Sequence, residues 1–459
     1  MEKTLSYKRQ CAWKSDKANK DEIFMFCEGY KSFLNSARTE REFVLCAEKA
    51  ALQNGFSALQ NKDSLKPGDR VYRINRGKGI LMAVIGSEDI EKGAHIVGAH
   101  IDSPRLDLKQ NPLYEDGETA LVKTHYYGGL RKYQWLATPL AMHGRVVLAN
   151  GNTVDISIGD EDDDFTFTIS DLLPHLAREQ GSKTLRDAFD AENLNVIVGS
   201  IPVDDEESKK PIKDAVLQYL NENYGMVEED FLSAEIEMVP AVRVRDVGFD
   251  RSMIGGPAQD DRVCAYTAMQ AIFETKNPKH TAICLLVDKE EIGSMGNTGM
   301  QSRFFENTLA EICCLLGKSA SLSVRRCLSN AKCLSADVNA AFDPNFAGVY
   351  EKSNAALLGH GVTISKYTGH GGKAESSDAS AEFMGEIRRL FNANNVIWQT
   401  AELGKVDGGG GGTIAQYVAN LDVDTIDCGT ALLSMHSPFE VCSKADVYMT
   451  YRAYKCFLQ

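Results

Sequence analysis

Two adjacent carboxylates, Glu290 and Glu291, stand just past the apolar run 282–287, in the stretch Asp288-Lys289-Glu290-Glu291-Ile292-Gly293-Ser294. Such a run reads as a buried parallel strand, and the carboxyl ends of such strands are where open α/β sheets place their ligands. Two neighbouring acids there need not share one task. One can bind a metal while the other stays available as a general base toward an attacking water. The plainer alternative is a solvated turn with Lys289 beside it.

The pattern recurs. His95-Ile96-Val97-Gly98-Ala99-His100-Ile101-Asp102 ends in His100 and Asp102, Cys333-Leu334-Ser335-Ala336-Asp337 ends in Asp337, and Ala431-Leu432-Leu433-Ser434-Met435-His436 ends in His436. In an extended chain residues i and i+2 project to one side. Asp102 is therefore placed to accept a hydrogen bond from the non-ligating nitrogen of His100 and fix its tautomer. Gln259-Asp260-Asp261-Arg262 opens a helix-like stretch, where an Asp also suits an N-cap or a first turn. Two His and several carboxylates form a hard or borderline donor set fit for one or two divalent ions such as Zn or Mn, with no thiolate required.

Other chemistries find less support. The chain has no H-E-x-x-H and no G-x-S-x-G, and Gly317-Lys318-Ser319 lacks the upstream glycine of a phosphate-binding loop. A net charge of −14 offers no basic footprint for nucleic acid. No run of eighteen apolar residues is present, and the N-terminal Met1-Glu2-Lys3-Thr4-Leu5-Ser6-Tyr7-Lys8 has no apolar signal core. The twelve Cys are scattered without a C-x-x-C pair and read as reduced thiols. These features predict a cytoplasmic protein that neither spans nor binds membranes.

The elements that must position the acids follow from patterning. With 459 residues, 43% hydrophobic and 25% charged, the chain exceeds one ordinary core and predicts two domains or one with an insertion. Residues 21–50 show helical spacing for two amphipathic helices, and Val71-Tyr72-Arg73-Ile74 and 79–86 read as short strands before the His100 strand. From 106 to 240 the texture becomes β-rich, with segments at 146–148, 154–158 and 165–169 and acidic turns at 160–164 and 204–207. The α/β rhythm then returns. The predicted architecture is an α/β, mixed-sheet catalytic domain of residues 1–105 and 241–459 with an inserted domain at 106–240. The glycine run 408–412 precedes a helical stretch and reads as a loop allowing close backbone approach to a ligand.

These motifs, in this order, resemble those of the M18 aspartyl aminopeptidases: His100-Ile101-Asp102-Ser103-Pro104-Arg105, Gln259-Asp260-Asp261, Glu290-Glu291-Ile292-Gly293-Ser294, Ser335-Ala336-Asp337-Val338-Asn339 and Met435-His436-Ser437. Leu173-Pro174-His175-Leu176-Ala177 is similar to a motif of that family's inserted domain, so the resemblance covers nearly the whole chain. It implies a zinc-peptidase-like fold with an inserted dimerisation domain, a homo-oligomer built from dimers up to a tetrahedral dodecamer, and removal of N-terminal residues, acidic ones favoured, from peptides. Asp260 would bridge two divalent ions, Zn foremost with Mn or Co accepted. His100 and Asp337 would complete one site, and Glu291 and His436 the other.

Glu290 would be the general base, Asp102 would support His100, His175 would reach a neighbouring subunit's site, and Lys373 rather than Lys366 would receive an acidic substrate side chain. Where eukaryotic members carry Asp-Asn after the bridging position, this chain has Asp260-Asp261-Arg262, as in bacterial members and the related M42 aminopeptidases. The competing readings are an aminopeptidase of broad or neutral specificity and a non-catalytic scaffold or cargo protein on the same fold.

Overall fold

The computed structural model describes residues 5–17, 19–160 and 164–459. Residues 1–4 of the segment without a signal core, and 161–163 of the first acidic turn, lie outside them. The described chain divides into two compact units, one of residues 1–102, 244–435 and 440–459 and the other of residues 103–243 and 436–439. The return of 436–439 to the second unit has no sequence signal.

In the first unit nine of the described strands form one sheet whose order is Ser57–Ala58, Arg70–Ile74, Ile80–Val84, Thr281–Val287, Ala94–His100, Lys332–Ser335, Asp424–Gly429, Val362–Ser365 and Trp398–Thr400. The strand Thr281–Val287 runs parallel to Ala94–His100 but antiparallel to Ile80–Val84, so the sheet is mixed. Burial on both faces explains the continuous apolar runs. Ala282, Cys284 and Leu286 enter one core with the helices Gln259–Glu274 and Lys444–Leu458, while Ile283, Leu285 and Val287 enter the other with Phe304–Leu315 and Leu322–Asn330.

Register brings the chemistry together. Val287 faces His100, and Ser335 faces Gly98 on the other side of the same strand. Asp337, two residues past Ser335, is therefore carried to the level of His100, and the acids after Val287 leave the sheet at that same edge. The predicted helix pair is present as Lys20–Ser36 and Glu40–Gln53, the second opened by a Thr39/Glu42 capping box.

The second unit holds a six-stranded antiparallel sheet, ordered Thr153–Ile158, Leu140–Val147, Glu235–Pro240, Arg105–Asp116, Thr119–Tyr127 and Val196–Gly199. Its own core includes Leu106, Trp135, Met238 and, from the helix Pro211–Tyr224, Ile212 and Leu220. The segment 165–169 is not a strand. Phe167 and Thr168 make only isolated bridges, to Leu140 and Ile197, although Phe167 and Ile169 are buried; their alternation reflects packing rather than ladder pairing.

The helix Gln259–Glu274 begins at Ala258 in a left-handed conformation, and Asp260 and Asp261 have non-helical backbone angles. Neither Asp is the cap. The buried Glu440 carboxylate accepts the backbone N–H of Gln259 at 2.5 Å and of Asp260 at 3.0 Å, a negative charge on the positive end of the helix. Replacing Glu440 with Ala leaves two buried donors without their acceptor, so Glu440→Ala is expected to cost about 1–3 kcal/mol, read as a shift in the denaturant midpoint with unchanged slope.

Candidate metal centre and its support

Three sets of side chains in the first unit place ligand atoms within 4.8 Å of one another: His100, Asp260 and Glu291; His100, Glu290 and Asp337; and Asp260, Asp261 and Asp337. They share members, so one imidazole and five carboxylates form a single cluster at the carboxyl edge of the sheet. His100 is buried, with Nε2 at 3.2 Å from Asp260 Oδ1 and 3.8 Å from Glu290 Oε2. Glu290 and Glu291 sit in a short 3-10 turn, Glu290–Ile292, bounded by Lys289 and Gly293, both at positive φ.

Asp102 ties the two halves together. Its Oδ1 lies 3.3 Å from His100 Nδ1, and its two carboxylate oxygens accept the backbone N–H groups of Glu290 and Glu291 at 3.1 and 3.2 Å. The Asp102 carbonyl oxygen is also 3.1 Å from His100 Nδ1. The nitrogen turned toward the cluster is therefore Nε2, and the Glu290–Glu291 turn is held against the strand that carries His100. The Gly293 carbonyl closing this turn accepts from Gln301 Nε2 and the Tyr417 hydroxyl.

The electrostatics call for cations. Burial would lower the pKa of His100, yet hydrogen bonds to Asp102 and Asp260 and the charge of Glu290 raise it well above its ordinary value. Desolvation, with the Asp260 charge, likewise pushes the carboxyl of fully buried Asp261 well up. Hydrogen bonds from the Cys264 thiol and the His100 backbone moderate that shift. Buried carboxylates in such number are stable only when paired or bound to metal. The nitrogen and oxygen donors present fit divalent ions of the Zn or Mn class.

The other expected site residues are not members of these three sets. His436 groups with the second unit, past the strand Ala431–Leu433, and its Nδ1 pairs with the Gly129 carbonyl at 2.8 Å. His175 is exposed in the 3-10 turn Pro174–Leu176 of the second unit, among the exposed Leu172, Leu173 and Leu176. Lys373 is exposed, its Nζ 3.2 Å from Asp378 Oδ1 and 4.0 Å from the centre of the Tyr367 ring; Lys366 reaches the same oxygen at 2.9 Å. The glycine run lies against its own chain: Gly410–Gly411 pairs with Gly369–His370, and a Cβ on Gly409 would meet the Leu403 carbonyl at 2.2 Å. Part of its close backbone approach is therefore made to its own chain.

Sequence reading assigned no role to Asp261 or Glu440. Asp261 could have been suspected from its adjacency to Asp260. Glu440, 180 residues from its partner Asp260, left no signal.

The family model described as aminopeptidase I zinc metalloprotease (M18) matches residues 33–458. The chain belongs to the M18 aminopeptidase family. A probable M18 family aminopeptidase 1 of Clostridium acetobutylicum is 51% identical over 452 residues, covering 97% of each chain. The crystal structure of an M18 family aminopeptidase from Thermotoga maritima superposes with a TM-score of 0.96 at 46% identity, over 99% of this chain and 100% of that one. The dodecameric mApe1 of S. cerevisiae shares the fold at a TM-score of 0.75 and 21% identity, over 94% and 96% of the two chains. This M18 protein is thus a metallo-aminopeptidase, a hydrolase of peptide bonds.

Because Asp102 uses two oxygens on two backbone donors, Asp102→Asn forfeits one acceptor and turns an amide N–H₂ toward a donor. Metal affinity of the M18 centre is expected to fall about 10- to 100-fold, measured by competition with a chromophoric chelator.

Proposed function

We propose that the centre is dinuclear and removes N-terminal residues from peptides, with Asp260 shared between two divalent ions, His100 and Asp337 completing one site and Glu291 and His436 the other. The reading is carried by the gathering of His100, Asp260, Glu290, Glu291 and Asp337 at one strand edge with mutually reachable ligand atoms. The family description favours Zn; the same donors accept Mn or Co.

When bound, two such ions polarise the scissile carbonyl and lower the pKa of a shared water. Glu290 then takes the proton of the attacking water on its carboxylate and returns it to the leaving amine. Asp102 holds the Glu290 backbone, so the base keeps its place as charge develops. Chelation is expected to abolish activity and metal add-back to restore it. Glu290→Gln should keep both ions and lose about 10² to 10⁴ in kcat, established by elemental analysis beside steady-state kinetics; loss of metal instead would exchange the roles of Glu290 and Glu291.

Substrate preference turns on Lys373. The family resemblance favours acidic N-termini received by that ammonium. A second reading, broad or neutral specificity, is favoured by the position of Asp378, which already faces both Lys373 and Lys366. The surface leucines around His175 support assembly of the second unit with another copy, as a dimerisation domain in a homo-oligomer up to a dodecamer, with His175 serving the neighbouring site. That every Cys is free supports a reducing, cytoplasmic location; among the described residues no helix is long and apolar enough to cross a membrane. Kinetics with Asp, Glu and Leu aminoacyl substrates decide both points. Lys373→Ala is expected to raise KM for Asp and Glu far more than for Leu, and an equal change removes it from the pocket; His175→Phe should assemble and bind metal while losing kcat on all three.

A further inference from the structure

The turn that carries Glu290 has an unfavourable backbone. Lys289 and Ser294, neither of them glycine, lie at φ 67° and 59°, and Gly293 lies at 93°. Left-handed conformations are costly for residues with a Cβ and persist only where the surroundings over-determine them. Inside the turn the Lys289 carbonyl accepts the Ser294 N–H at 2.7 Å, and the Glu290 carbonyl accepts the Gly293 N–H at 2.9 Å. Asp102 holds the entry through the N–H groups of Glu290 and Glu291. The exit is held at the Gly293 carbonyl, which accepts from Gln301 Nε2 at 2.9 Å and from the Tyr417 hydroxyl at 3.2 Å.

The two exit donors differ in kind. Gln301 is exposed and local in sequence, whereas Tyr417 stands 124 residues away on the helix Ala415–Ala419, its side chain packed partly buried against a core. That helix is itself fixed. Ala415 and Val418 are buried, and the Thr413 hydroxyl accepts the Ala415 N–H at 3.2 Å while donating to the buried Asp427 carboxylate at 2.6 Å. Tyr417 therefore reaches the turn from a firm platform. Burial, and then the charges of Glu290 and Glu375, raise the pKa of its hydroxyl, which stays a donor beside the acid.

We propose that Tyr417 is a positioning residue for Glu290: its hydroxyl pins the Gly293 carbonyl and thereby aims the general base. This rests on the assignment of Glu290 as base and deepens it. Because the Gly293 N–H bonds to the Glu290 carbonyl, a shift of Gly293 moves the peptide unit that directs the Glu290 side chain. Glu291 is held in addition by its ion, so metal binding does not depend on the tyrosine.

The test compares wild type, Tyr417→Phe, Glu290→Gln and the double variant as metal-loaded enzymes, by elemental analysis and by kinetics on a Leu aminoacyl substrate. Tyr417→Phe removes one hydroxyl and keeps the ring. It should retain the wild-type metal content and a KM within about twofold while losing kcat about tenfold, as when a reacting group is displaced rather than removed. In the Glu290→Gln background, where no base remains to be aimed, the same change should cost no further kcat. An unchanged kcat, a similar loss in both backgrounds, or loss of metal from Tyr417→Phe overturns the positioning role and leaves the base assignment standing. If Glu290→Gln itself leaves kcat unchanged, the base assignment fails and this proposal with it. Should Tyr417→Phe prove unfolded by circular dichroism, Gln301→Ala at the surface probes the same carbonyl. A kcat loss seen only with Glu290 intact then supports the pinned carbonyl, and no loss overturns it.

Discussion

Crowding of like charge is the constraint around which the first unit is organised. Asp260, Asp261, Glu290, Glu291 and Asp337 converge with one imidazole, and mutual repulsion in a poorly solvated place opposes that convergence at every step of folding. The raised pKa values of His100 and Asp261 express the same imbalance from opposite sides. A bound cation would offset it, which would link metal binding to the stability of this region.

The cluster endures because the surrounding backbone is overdetermined. The three central parallel strands fix His100 and Asp337 at one level through their register. Glu440 anchors the helix start that carries Asp260 and Asp261, and Asp102 fastens the Glu290–Glu291 turn to the His100 strand. Arg262, buried directly after the two acids, donates to the carbonyls of Ala37, Arg38 and Ile101. Each support comes from a different part of the chain, so the catalytic geometry depends on the whole unit being folded.

Other features are less constrained. Lys366, Lys373 and Asp378 are all substantially exposed, so their pairing is weak. The second unit has its own core, while the stretch around His175 exposes leucines that a folded monomer gains nothing by displaying.

Much of this was legible in the residues themselves. Strands buried on both faces must be apolar throughout, so the runs ending near His100, Glu290 and Asp337 announced both the sheet and the edge where its polar residues gather, and helical spacing marked the first two helices. The texture of 106–240 set that stretch apart as β-rich. Local pattern misled where packing mimics pairing, as at 165–169. It was silent on the long-range contacts: Glu440 on the helix start, Asp378 on the two lysines, the return of His436 to the second unit, and the inward turn of Asp261. The sequence by itself determined which residues could do chemistry, because residue type and periodicity are local properties. Only the tertiary structure decided which of them meet, because register and burial depend on partners that stand up to hundreds of residues away.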